Sequence, residues 1–139
     1  MPGSGLGLGT ITSRNVENAI GSGFGDVIDA GAPFVTLIAN TISGGGGNDA
    51  LMGRFGDDVL NGDSGDDNLY GDGLGGSAFD GNDILNGGTG NDRLEGGLGN
   101  DTLSGGSGDD NLYGDYEMGL VFEGGDDVLR GGTGSNVFF

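Results

Sequence analysis

From residue 44 onward a large apolar side chain returns every ninth position, and the residue two places before it is almost always an acid, except where the spacing is stretched by inserted residues. The chain divides into GGGGNDALM, GRFGDDVLN, GDSGDDNLY, an expanded unit, GGTGNDRLE, GGLGNDTLS, GGSGDDNLY, a second expanded unit and GGTGSNVFF. Glycine stands first in all nine units. The eighth place holds Leu51, Leu60, Leu69, Leu85, Leu94, Leu103, Leu112 and Leu129, then Phe138. The sixth holds Asp49, Asp58, Asp67, Asp83, Asp92, Asp101, Asp110 and Asp127, then Asn136. A fixed period of this kind marks a repeat architecture, in which stacked units bury a core that no single unit can bury alone.

Upstream the pattern fades without vanishing. Gly21 to Asp29 (GSGFGDVID) is a degenerate unit with Asp26 and Ile28 in register. Ala30 to Ser43 is an expanded unit ending with Asn40 and Ile42 in the aspartate and leucine places. Residues 1–20 carry no clear unit and read as a cap or lead-in, because a solenoid end must hide its open strand edge. The expected organisation is therefore a cap over 1–20 and a repeat region over 21–139, degenerate over 21–43 and regular over 44–139.

Composition sets a problem that the pattern must solve. The 139 residues include 37 glycines, and glycine loses more backbone freedom on ordering than any other residue. Twenty-two acids against four arginines (Arg14, Arg54, Arg93, Arg130) give a net charge of −18, so a compact state repels itself unless something neutralises it. Composition alone would suggest disorder, but a disordered acidic tail has no need of an apolar residue locked two places after an aspartate. The charge argues against nucleic acid, whose phosphates require clustered Lys and Arg. No apolar run reaches the length of a membrane span, and the N-terminus lacks the basic start of a signal peptide. With no cysteine or histidine and no convergent catalytic group, nothing points to an enzyme. The G-x-G-x-x-G match at Gly71, Gly73 and Gly76 lacks a strand-to-helix context and is a chance result of glycine content.

The units fit G-G-x-G-x-D-x-U-x, and over residues 44–139, more weakly from 21, the chain resembles the RTX (repeats-in-toxin, hemolysin-type) calcium-binding nonapeptide repeat family. The stretch Val16 to Gly21 (VENAIG) is similar to the lead-in that often precedes such arrays. The resemblance implies an all-β fold, a right-handed parallel β-roll (β-solenoid) with two nine-residue units per coil. In it the first six residues of a unit turn and the last three form a strand. Odd and even units line opposite edges, and the eighth-place leucines stack inward.

The resemblance also implies calcium ions, about six to eight, between same-edge turns of successive coils. Sixth-place aspartates and turn carbonyls would hold them, as befits a cation that takes six to eight oxygen ligands. One edge then pairs Asp49 with Asp67, Asp67 with Asp92 and Asp92 with Asp110. The other pairs Asp58 with Asp83, Asp83 with Asp101 and Asp101 with Asp127. Asp26 joins at the degenerate end, and Asp110 with Asn136 makes a weaker terminal pair. Gly44, Gly46, Gly53, Gly62, Gly87, Gly96 and Gly105 are the expected turn glycines of these sites. The fifth-place acids Asp57, Asp66, Asp109 and Asp126 read either as further metal ligands or, the favoured reading, as solvated surface charge.

Three insertions, near 30–39, 73–79 and 116–123, all fall in even units and should leave one edge, two coils apart. Each carries one phenylalanine: Phe34, Phe79 or Phe122. Two readings stand: a contiguous apolar patch for a partner, or side chains folded back over their own edge. The end of the chain, with Phe138 and Phe139, reads either as a terminal cap or as a docking face for head-to-tail stacking into a homo-oligomer or filament. The functional expectation is a non-enzymatic module of a secreted or cell-surface bacterial protein, exported by a type I system and folded by extracellular calcium. The alternative is a calcium-dependent self-assembling structural subunit.

Overall fold

The computed structural model describes residues 10–12, 18–30, 38–72, 81–115 and 125–139. Most of the expected cap and the bodies of the three insertions, with Phe34, Phe79 and Phe122, lie outside the described residues. The described residues form strands and turns, with no helix among them. The strands are β1 (Thr10–Thr12), β2 (Asn18–Ile20), β3 (Val27–Asp29), β4 (Thr41–Gly46), β5 (Ala50–Arg54), β6 (Val59–Ser64) and β7 (Asn68–Asp72). They continue with β8 (Ile84–Thr89), β9 (Arg93–Glu95), β10 (Thr102–Ser107), β11 (Asn111–Tyr113), β12 (Val128–Thr133) and β13 (Val137–Phe138).

Odd-numbered strands make one parallel sheet of seven and even-numbered strands make another of six, so the chain alternates between two sheets as it winds. Register follows the repeat. Leu51 pairs with Leu69, Leu69 with Leu94 and Leu94 with Leu112 in one sheet; Leu60 with Leu85, Leu85 with Leu103 and Leu103 with Leu129 in the other. Two units thus make each coil, as the family resemblance implies. Strand pairing also reaches upstream of the unit pattern: β1 and β2, within the 1–20 stretch expected as a cap or lead-in, pair with β3 and β4.

Between the sheets Ile28, Ile42, Leu51, Leu60, Leu69, Leu85, Leu94, Leu103 and Leu112 are fully buried, with Leu129 and Ala19 packed against them. Neighbours at the seventh and ninth places mostly face outward, the alternation a strand imposes. Burying one such side chain contributes about 1.5–3 kcal/mol, so this double column is the main apolar stabilisation available to the chain.

The strands differ from the expected three-residue pieces. In the six-stranded sheet β4, β6, β8, β10 and β12 each run six residues, through the first three places of the next unit. Identical turns stacked at strand spacing bring their own amides and carbonyls into reach, so pairing continues into the turn. Gly65 N–H, for example, donates to Thr89 O at 2.8 Å and Gly90 N–H to Ser107 O at 2.8 Å. Glycine is required at the fourth place, where Gly90 has φ 129° and a Cβ would overlap the carbonyl oxygen of Gly65. At the second place φ is positive at Gly45, Gly88, Gly97, Gly106 and Gly132, and also at Arg54 (φ 89°) and Asp63 (φ 72°), which replace glycine.

All three insertions interrupt a connection from the seven-stranded to the six-stranded sheet: β3 to β4, β7 to β8 and β11 to β12. The uninterrupted connections β5 to β6 and β9 to β10 lie between them, so the interrupted connections fall at alternate coils of one edge.

Candidate metal centre

Each turn ends on a sixth-place residue whose side chain folds back under its own unit. Asp49 Oδ2 lies against Gly44, Asp58 against Gly53, Asp67 against Gly62, Asp92 against Gly87, Asp101 against Gly96 and Asp110 against Gly105. A methyl group at any of these first-place glycines would collide with that carboxylate. At several, the first-place carbonyl of the next coil lies on the same side, as Gly87 O does over Gly62 and Gly105 O over Gly87. Gly46, at the third place, sits apart from the carboxylates, with Ser64 and Gly23 as its nearest neighbours.

The other carboxylate oxygen reaches one coil back. Oδ1 of Asp67, Asp92 and Asp110 accepts the N–H of Asp49, Asp67 and Asp92 at 2.7–2.9 Å. On the opposite edge Oδ1 of Asp83, Asp101 and Asp127 accepts from Asp58, Asp83 and Asp101 at 2.8–2.9 Å. The pairs that the resemblance implies are therefore neighbours in space, and Asn136 Oδ1 accepts Asp110 N–H at 3.0 Å in the terminal one. Among the described residues no three acidic side chains converge on one point: the arrangement is a ladder of carboxylate pairs with carbonyls between them.

The Oδ2 atoms of Asp49, Asp58, Asp67, Asp83, Asp92, Asp101 and Asp110 are buried and accept no hydrogen bond. A buried acceptor left unmade costs free energy, more so when charged. Burial accordingly pushes Asp58, Asp67 and Asp92 up to about 6, Asp101 to about 7 and Asp83 to about 9 from an ordinary 3.8. Neighbouring acids push the same way (Asp72, Asp101 and Asp58 around Asp83), while the backbone N–H donors oppose it. Burial also raises Asp49 and Asp127. Such carboxylates require a proton or a cation. Paired, buried, unsaturated oxygens beside turn carbonyls fit a hard divalent ion with many oxygen ligands.

Asp26 differs from the rest. Its backbone N–H donates to Asp49 Oδ1 at 2.6 Å, in register, but its own Oδ2 accepts from Ser22 N–H at 2.6 Å and Ser22 Oγ at 2.8 Å. The fifth place carries a role that residue type alone did not reveal. Its side-chain oxygens accept the N–H of the next coil: Asn48 from Asp66, Asp66 from Asn91, Asn91 from Asp109 and Asp109 from Ser135, at 2.8–3.0 Å. The other edge repeats this through Asp57, Asn82 and Asn100. Asp66 and Asp109 are thus exposed but structural. The signal was present, since every fifth place in the regular array is Asn, Asp or Ser.

At the end of the roll Val137, Phe138 and Phe139 are exposed. Phe139 stacks on Tyr113 with ring centroids 4.4 Å apart, and Arg93 covers that ring at 4.2 Å. Phe139 is therefore already engaged within the chain, though two-thirds exposed.

The winding of two parallel sheets and the ladder of turn carboxylates define a metal-binding β-roll. The family model for the RTX calcium-binding nonapeptide repeat matches residues 43–73, 77–115 and 123–139, in four copies. The chain belongs to this family, whose repeats bind calcium and are structural, not catalytic. No curated protein and no solved structure matches the chain.

Proposed function

We propose that this chain is a non-enzymatic extracellular module that folds when calcium ions load between its stacked turns. The observation that carries the reading is the ladder of seven buried Oδ2 atoms with no donor. Six two-aspartate pairs, from Asp49–Asp67 to Asp92–Asp110 and from Asp58–Asp83 to Asp101–Asp127, are the ion positions, with Asp110–Asn136 a weaker seventh. Six divalent ions bring about twelve positive charges against the net −18, which answers the self-repulsion. Because no preformed site exists in the open chain, binding free energy becomes folding free energy. Extracellular calcium, roughly millimolar, matches the weak end of such sites, and a calcium-poor cytosol would keep the chain open for a type I exporter.

A second reading, calcium-dependent self-assembly, is favoured by Phe138, which continues the leucine column of its sheet yet stands half exposed. One experiment separates the two: far-UV circular dichroism with light scattering through a calcium titration, and magnesium as control. A calcium-specific coil-to-β transition at constant monomer size supports the module. Scattering that keeps rising supports assembly, and no transition at all removes both.

A further inference from the structure

We propose that the coil formed by residues 21–30 and 38–43 is held by protein groups in place of calcium and, with β5 of the next coil tied to it, remains rolled, as a template for the later coils, when calcium is withdrawn. The inference rests on the calcium reading above. On one edge Ser22 occupies the second-place position that is glycine in Gly45, Gly88, Gly106 and Gly132. Its N–H and hydroxyl both donate to Asp26 Oδ2, the atom that has no donor in seven later turns. The Ser22 hydroxyl also accepts Phe24 N–H at 3.2 Å, which fixes the turn that presents it. Two donors thus do for Asp26 what a cation does for a bare carboxylate oxygen.

On the opposite edge Asn40 stands in the aspartate place. Its N–H and Nδ2 both donate to Asp58 Oδ1, at 2.7 and 2.9 Å, and Nδ2 also reaches Ile38 O at 2.9 Å. Asn40 Oδ1 has no donor, but an amide adds no charge to be neutralised. The third element is Arg54, in a glycine place with φ 89°, whose Nε and NH2 grip Asp29 at 2.8 and 2.7 Å. The pair spans from the end of β3 to the end of β5 and ties the coil to its successor. Bidentate Arg–carboxylate geometry is the strong form of such a pair. Below these links Ile28 and Ile42, β-branched where later units have leucine, are fully buried.

A roll with one end held without metal loads calcium from that end, because each filled turn builds on an ordered neighbour. Hydrogen exchange with mass spectrometry on the full chain, in chelator and in saturating calcium, tests this. In chelator, peptides covering 26–30 and 50–54 should exchange at least about tenfold slower than peptides covering 84–95 and 102–113. The double variant Ser22→Gly, Arg54→Gly restores the usual second-place residue and should abolish that difference while leaving calcium-loaded protection of 84–113 intact. Equal fast exchange throughout in chelator, or a double variant that keeps the difference, overturns the template. A double variant that loses protection everywhere even in calcium also overturns it, since the two residues would then carry the whole roll. Failure of the calcium reading looks different: no peptide would gain protection on adding calcium.

Discussion

At the scale of single residues, the sixth and fifth places of each unit divide the labour of a turn. Sixth-place aspartates give Oδ1 to the neighbouring backbone and keep Oδ2 buried without a donor, whereas fifth-place side chains do only the first and stay exposed. Asp92→Asn should therefore raise the calcium midpoint about tenfold or more, roughly 1.4 kcal/mol, while Asp66→Asn should shift it by less than about 0.5 kcal/mol. Isothermal titration of both variants checks the contrast. Protons compete for the same oxygens. In the roll Asp58, Asp67, Asp92, Asp101 and Asp83 sit at about 6, 6, 6, 7 and 9, against 3.8 in the open chain. The metal-free roll thus binds more protons than the open chain, so this contribution is present below about pH 4 and is lost as pH rises through 6 to 9. Acidifying the chain in chelator from pH 8 to pH 4 should gain β signal by circular dichroism, and the calcium midpoint should fall as pH rises. Loss of β signal on acidification would contradict the assignment.

At the scale of turns and strands, what was legible in the sequence was whatever repeats as a residue type. Leucine at the eighth place marks the core column, and aspartate at the sixth, with the family resemblance, marks the carboxylate ladder. What was not legible depends on which backbone groups face each other across coils. The six-residue strands of one sheet arise because stacked turns pair their amides, which no single unit displays. Ser22 stands at a second place that is often glycine, and its role depends on a hydroxyl that donates to Asp26. Fifth-place acids read as surface charge because they are exposed; their acceptor role requires the next coil. Glycine content is likewise explained place by place. Gly90→Ala should disrupt folding, since its Cβ would overlap Gly65 O and φ is 129°. Gly23→Ala, with nothing near its Cβ, should be tolerated. Leu94→Ala should cost about 2–5 kcal/mol through the cavity it opens in the column. Calcium midpoints followed by circular dichroism rank all three variants.

At the scale of the whole molecule, a chain with 37 glycines and a net charge of −18 buries one double apolar column, and the proposed calcium ions supply a divalent counter-charge on each edge. Both terms grow coil by coil, since each coil contacts mainly its neighbours, so stability is spread along the roll. The insertions fall only in connections from the seven-stranded to the six-stranded sheet, and the connections of the opposite edge are an unbroken stack of turns from Gly44 to Asn136. The central claim is that calcium ions occupy the carboxylate pairs of the folded chain. Native mass spectrometry, which counts bound ions and reports compaction from the charge states of the same particle, tests it most directly. The account predicts six to eight calcium ions on the compact form and none on the extended form. A compact chain that carries no calcium, or a calcium-loaded chain that stays extended, would contradict it.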